Sequence, residues 1–369
     1  MTIEFNTNVK HINISGIRKM FEGAGPGAIN MGLGQPDFDT PVHIKNEAIK
    51  AINEGFTAYT ANLGMPELRQ ALCGKFKREN GIDVTQDEVL VTSGASEALH
   101  LAIQALCNNG DEVIVPDPGF VAYVALTSLA DAKPVMVPLG EKLKYDPEVL
   151  KNYITKRTKA IILNSPSNPT GMVQTPEEVR AIAEIAEDNN VTIISDEVYE
   201  HFIYEGKHAS PGSFTDNVIT VNAASKTYAM TGWRLGYIAA RHEYVEQMVK
   251  IHQYIQASAS SISQRAGLAA ITGPQDEVFR MRDEFRKRRD YLLSSFESMG
   301  VKCNKPQGAF YAFPYVENEE KIVSELLKKG VISTPGTAFG SRGKGYARFS
   351  YATSMPNIEK AVSIMKTVF

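Results

Sequence analysis

Between residues 85 and 240 of this 369-residue chain, short runs rich in β-branched residues alternate with stretches of helical apolar spacing. The runs are VLVT (89–92), EVIV (112–115), AIIL (160–163), VTIIS (191–195), VITV (218–221) and YIAA (237–240). Several are apolar at successive positions rather than alternate ones, as in strands covered on both faces, and strands separated by helices favour a mainly parallel sheet. SEALHLAIQALCNN (96–109) and TPEEVRAIAEIAEDNN (175–190) read as sheet-covering helices. Ser96 is the expected cap of the first, and Thr175, Pro176 and two glutamates mark the start of the second.

After Gly273-Pro274 the pattern changes. A long charged helix, DEVFRMRDEFRKRRDYLLSSFESMG, precedes GAFYAFP, a further helix, YARFSYA and a terminal helix. The expectation is an α/β protein with a large domain over residues 31–274 and a smaller α+β domain built from 1–30 plus 275–369. No repeat, low-complexity tract or flexible linker is evident.

Composition narrows the function classes. With 43% hydrophobic and 22% charged residues the chain reads as an ordinary soluble globular protein. A formal net charge of −3 gives no general attraction to nucleic acid or anionic membranes. The first residues alternate polar and apolar positions, unlike a signal peptide, and no apolar run reaches membrane-spanning length. Cys73, Cys107 and Cys303 are odd in number and far apart, which argues against disulfides or a clustered zinc site and for the cytoplasm. The Asn13-Ile14-Ser15 glycosylation pattern is then accidental.

Five stretches carry candidate chemistry. Lys226, in SKTYAMTGWRLG (225–236), follows the VITV strand, and open α/β sheets gather ligand groups at strand ends. An isolated loop lysine would mean little, but Ser225, Thr227 and Arg234 are anion-binding types close beside it. An amine next to a phosphate site suits a Schiff-base cofactor. Asp196, in SDEVYEHF (195–202), ends a buried-looking strand, where a fixed carboxylate can keep a pyridine nitrogen protonated. The bland reading, a solvated capping turn, is about equally good for that stretch alone. Tyr199 is then within reach of the ring oxygen. VTSGASEAL (91–99) is a strand, a turn and a helix start, and its N–H groups from Gly94 through Ala95 to Ser96 form a phosphate cradle. In NSPSNPTG (164–171), otherwise a turn, Asn168 precedes a proline and is held extended toward the same crevice. Arg348, in YARFSYA (346–352), is either an ordinary edge residue or a fixed guanidinium for a carboxylate.

Two other patterns are decoys. GAGPGA (23–28) has dinucleotide-binding glycine spacing but follows no strand and contains Pro26. The seven histidines show no metalloprotease spacing, no metal is expected, and no nucleophile elbow occurs.

With Asn168, Asp196, Tyr199, Lys226, Arg234 and Arg348 in this order, the chain resembles the class I/II aminotransferases, fold type I pyridoxal-phosphate enzymes. GLGQPDFDTP (32–41), YTANLGMPELR (59–69), SPSNPTG, SDEVY, SKTYAMTGWRLG and ARFSYA carry the likeness nearly end to end, closest in wording to the aspartate/aromatic branch. The resemblance implies pyridoxal 5'-phosphate as cofactor, with Lys226 bonding its aldehyde and later carrying the substrate's Cα proton. Asp196 would pair with the pyridine nitrogen, and Tyr199 and Asn168 would contact the ring oxygen. Phosphate would be held by Ala95, Ser96, Ser225 and Arg234, and Phe120 would stack on the ring. Arg348 would clamp the substrate α-carboxylate, with Gly34 lining the site. Homodimers are usual in the family, and Tyr59 would reach the partner's cofactor phosphate.

In some bacterial aspartate aminotransferases that resemble this chain, a lysine that reads the distal carboxylate aligns with Ser96. Its loss here leaves aspartate, aromatic and broad specificity open, with 2-oxoglutarate the expected amino acceptor. β-Elimination on the same scaffold is the alternative chemistry. A ligand-sensing regulator is a third reading, disfavoured because the resemblance begins near residue 1 and leaves no room for a DNA-binding domain.

Overall fold

In the computed structural model, which describes residues 3–12, 25 and 27–369, the apolar runs are strands of one seven-stranded sheet. These are β1 (Val89–Thr92), β2 (Glu112–Asp117), β3 (Lys133–Pro138), β4 (Thr158–Asn164), β5 (Thr192–Asp196), β6 (Val218–Ala223) and β7 (Gly236–Ala240). Their order is β1-β7-β6-β5-β4-β2-β3. All neighbours are parallel except at β7, which runs against both β1 and β6. The reversal places the start of β7 on the rim where the others end: Gly236 pairs with Thr92 on one side and Ala223 on the other.

Every residue of β1, β2, β5, β6 and β7 is buried, as continuous apolar runs require. β3 is the exception and was not expected. It is a partly exposed edge strand, and its sequence KPVMVP carries two prolines, which edge positions tolerate.

Helices cover both faces: α1 (Val42–Asn53), α2 (Pro66–Lys75), α3 (Gly94–Leu106), α4 (Val121–Leu129), α5 (Pro176–Asp188), α6 (His242–Ile255) and α7 (Ser261–Thr272). Leu90, Ile194, Ile219 and Ile238 pack under α3, α4 and α6, while their strand neighbours Val89, Val91 and Ala239 face α1, α2 and α7. α5 begins as expected, with a Thr175–Glu178 capping box. α3 corrects the expectation: it starts at Gly94, so Ser96 lies in its first turn and is not its cap. Gly94 adopts φ +78°, which lets the chain turn straight from β1 into the helix.

α2 runs into a π-helical turn, Phe76–Asn80. Such a turn brings residues five apart onto one face. Lys75 accordingly donates to Asn80 Oδ1 (2.7 Å), and both meet a buried group of side chains behind residues 195–201.

The C-terminal part is built on α8 (Asp276–Ser298), α9 (Glu319–Lys328) and α10 (Met355–Met365). They pack around a three-stranded antiparallel sheet, 334–335, 347–350 and 311–312, with 347–350 in the middle. Phe285, Phe296, Phe310 and Phe349 fill its core. Ile29–Asn30 pairs in parallel with Val331–Ile332, joining the early chain to this layer. Asn13-Ile14-Ser15 and half of the GAGPGA run lie outside the described residues. No helix among the described residues is long and apolar enough to cross a membrane.

Candidate active site

A cavity of about 620 Å³ opens where the strands end. β5 delivers Asp196 as its last residue, buried at 4% exposure. Tyr123 donates its hydroxyl to Asp196 Oδ2 (2.7 Å), Val198 N–H approaches Oδ1 (3.4 Å), and Asn164 Nδ2 donates to the backbone carbonyl (2.9 Å). Burial pushes the carboxyl up to about 6, against the Tyr123 hydrogen bond, which favours the ionised form. The bland reading of a solvated turn is therefore set aside.

β6 ends at Ala223, and a single helical turn, Ala224–Thr227, presents Lys226 to the cavity. Its Nζ donates to the Gly34 carbonyl (2.6 Å). Burial, then the positive charges of Arg348 and Arg234, push the ammonium down to about 8. Gly34 has a steric reason: a Cβ there would stand 1.9 Å from the Tyr311 hydroxyl.

Arg348 lies in the central strand 347–350, not at an edge, and is 1% exposed. Nη1 donates to Asn168 Oδ1 (2.8 Å), and Nη2 to the Gly32 carbonyl. Its guanidinium lies 4.6 Å from the Tyr311 ring centroid and 4.7 Å from that of Phe339. Its Nε is buried with no partner, and no carboxylate among the described residues pairs with it. A buried guanidinium left this way is poised for an anion. Asn168 is fixed from behind as well, its N–H donating to Asn164 Oδ1 (2.8 Å). Tyr199 and Tyr311 share a hydroxyl–hydroxyl hydrogen bond of 2.8 Å.

At the opposite end, α3 points its first N–H groups at the cavity, which Ala95 and Ser96 line. Ser225 and Arg234 close this end. Arg234 takes φ +53° and donates to Thr231 O (2.9 Å), placing its guanidinium against Gly94, where a Cβ would sit 2.4 Å from Nη2. Phe120 forms the wall between, edge-on to Tyr123 at 5.6 Å.

Of the residues singled out from the sequence, three do not line the cavity, among them Thr227, whose hydroxyl bonds His201 Nδ1 (3.1 Å) instead. Gly94 does not itself line the cavity but begins α3, whose first N–H groups point there, and Tyr59 is 87% exposed and lines no part of the cavity in this subunit. Tyr123, Tyr311 and Asn164 were missed. Asn164 ends β4, and Tyr123 lies three residues after Phe120 on α4, so helical spacing was the available signal. Two groups of glutamate and histidine, Glu79-Glu200-His201 and Glu197-Glu200-His208, have ligand atoms close enough for a metal. Their oxygens already accept from Lys75 and Asn80.

A family model for aminotransferase class I and II matches residues 26–365. A probable aspartate aminotransferase of Methanocaldococcus jannaschii is 47% identical, covering 99% of each chain. Aromatic-amino-acid aminotransferase 2 of Thermococcus litoralis is 40% identical over 97% of this chain and 96% of its own. Among solved structures, the Thermus thermophilus aspartate aminotransferase with maleate superposes with a TM-score of 0.95 at 37% identity, covering all of both chains. These relatives are named for transamination, and they lend no support to the β-elimination alternative. A half-buried amine, a carboxylate and an unpaired guanidinium around one cavity, on a scaffold shared end to end, place the chain in the aminotransferase class I and II family.

Proposed function

We propose that the protein holds pyridoxal 5'-phosphate in this cavity and moves an amino group between an L-amino acid and a 2-oxo acid. The observation that carries the reading is Lys226, a half-buried amine lowered to about 8 that shares one cavity with Asp196 and with the unpaired Arg348. When bound, the cofactor supplies an electron sink that lets the substrate Cα–H ionise. The residues present fit such a group: an amine for its aldehyde, N–H donors at a helix start for its phosphate, and a dry carboxylate for its ring nitrogen.

Lys226 Nζ would hold the aldehyde and, once freed by the substrate, would carry the proton from the substrate Cα to the cofactor carbon. Its lowered pKa leaves more free amine near neutrality for both tasks. Asp196, oriented by Tyr123, would hold a proton on the ring nitrogen, and the positive charge gained there would offset the burial that raises the carboxyl. Tyr199 and Asn168 would contact the ring oxygen, and Phe120 would lie against the ring. The N–H groups of Gly94, Ala95 and Ser96, with Ser225 and Arg234, would hold the phosphate. Arg348 clamps the substrate α-carboxylate, and Gly34 leaves room beside it.

The amino donor is aspartate or an aromatic amino acid, as the relatives' names suggest, and 2-oxoglutarate the acceptor. The enzyme is a cytoplasmic homodimer in which Tyr59 reaches the partner's phosphate site. The division into a large domain, 31–274, and a smaller one, 1–30 plus 275–369, belongs to the same reading.

An absorbance spectrum with pyridoxal phosphate tests it, taken before and after aspartate, phenylalanine, tyrosine, alanine or glutamate. The expected result is conversion to the pyridoxamine form by at least one donor, lost in Lys226→Ala. A band that never forms, or never responds to any amino acid, overturns the reading.

A further inference from the structure

We infer that Glu97, held by His252, is the positioning residue that shapes the phosphate cradle at the start of α3, an inference that rests on the cofactor reading above. The cradle's free donors are the N–H groups of Gly94, Ala95 and Ser96. Ser93 N–H, just before them, is already occupied, because it donates to Glu97 Oε2.

Glu97 lies in the same first turn, so its negative charge stands close to where a phosphate docks. Like charges at that range weaken binding, the more so out of water. A glutamate is compatible with the cradle only if its carboxylate is turned away and held there by donors, and the geometry does both. Oε2 reaches back around the turn to Ser93 N–H, while Oε1 meets His252 Nδ1 at 2.8 Å. An ionised carboxylate can only accept, so the histidine donates from Nδ1. His252, on α6, is fully buried, and its Nε2 has no partner, so its hydrogen bonding is committed to Glu97.

The tether on Ser93 has a second effect. Ser93 O accepts from Arg234 Nη2 (3.5 Å), and Gly94 next to it holds φ +78° with the guanidinium packed against its α-carbon. Fixing Ser93 therefore fixes both the amide donors and the arginine around one phosphate position. Glu97 does this without touching the phosphate.

The test is a pair of equilibrium titrations of the full-length, cofactor-stripped protein, one with pyridoxal phosphate and one with pyridoxal, which keeps the aldehyde and lacks the phosphate. Inorganic phosphate serves as competitor in the first. Glu97→Ala is expected to weaken pyridoxal phosphate and inorganic phosphate about tenfold, the scale of one charge-assisted hydrogen bond, and to leave pyridoxal unchanged. Glu97→Gln keeps an acceptor for Ser93 without the charge and stays near the wild type. His252→Leu strands the carboxylate and loses phosphate affinity, which Glu97→Gln restores in the double variant. Equal losses for both aldehydes, or none, overturn the inference while leaving the cofactor reading intact. A wild type that binds neither aldehyde overturns both.

Discussion

At the scale of single residues, the groups that make the cavity useful also make it costly. The Lys226 ammonium is pushed from 10.5 to about 8, so below pH 8 the folded chain carries the full penalty of burying that charge. The penalty fades as pH rises from about 8 to 10.5, because the unfolded chain then binds more protons than the native one. Lys226→Met is therefore expected to raise the stability of the cofactor-free protein at pH 7 by up to about 3 kcal/mol, the gap closing toward pH 10.5. Urea unfolding at two pH values checks this. Tyr123→Phe removes the hydroxyl that favours ionised Asp196, so the acid limb of the kcat/KM profile should move to higher pH, with a loss of about tenfold at pH 7. An unmoved acid limb would show that the hydroxyl only fills space. Lys226, Asp196 and Arg348 were legible because charged side chains beside apolar strands need a reason. Tyr123 and Tyr311 were not, because a tyrosine in an apolar run reads as core, and the direction of its hydroxyl is set by tertiary packing.

At the scale of elements, legibility followed burial. Strands covered on both faces announced themselves as unbroken apolar runs, while the edge strand β3, with its two prolines, did not. The start of α3 was misplaced by two residues because a left-handed glycine, not a side-chain cap, begins it. The π-helical turn after α2 had no readable signal at all. It exists through what it joins: Lys75 and Asn80 turned together onto Glu200, with His208 on Glu197 beside it. Lys75 and its neighbouring histidines push the Glu200 carboxyl down to about 2, against the burial that alone would raise it. Glu200→Ala leaves Lys75 buried without its main counter-charge, an arrangement that costs about 3–5 kcal/mol. The denaturation midpoint should fall accordingly, and a change under 1 kcal/mol would mean the group is already solvated. Thr175→Ala tests a smaller device, the capping box of α5, and should cost about 1 kcal/mol in the same experiment.

At the scale of the whole molecule, several large apolar side chains lie exposed among the described residues. Val42, Ile49 and Ile52 face outward along α1, and Tyr59 and Tyr254 are each 87% exposed. If the homodimer reading holds, this surface is covered by a second copy, and Ile49→Asp should shift sedimentation toward the monomer and weaken cofactor binding with it. An unchanged sedimentation coefficient would place the interface elsewhere. The residues around the cavity run from position 33 to position 348, carried to one rim by the ends of β1, β2, β4, β5 and β6 and by the reversed start of β7. No shorter stretch of chain contains a usable site. A ligand of the cavity thus recognises the finished fold and not the unfolded chain, and mass action makes its occupancy a stabiliser, adding about 2.7 kcal/mol at one hundred times its Kd. Ligand supply then governs not only how fast the protein turns over substrate but how long the chain lasts against proteases, since the open form they attack is the one that cannot bind.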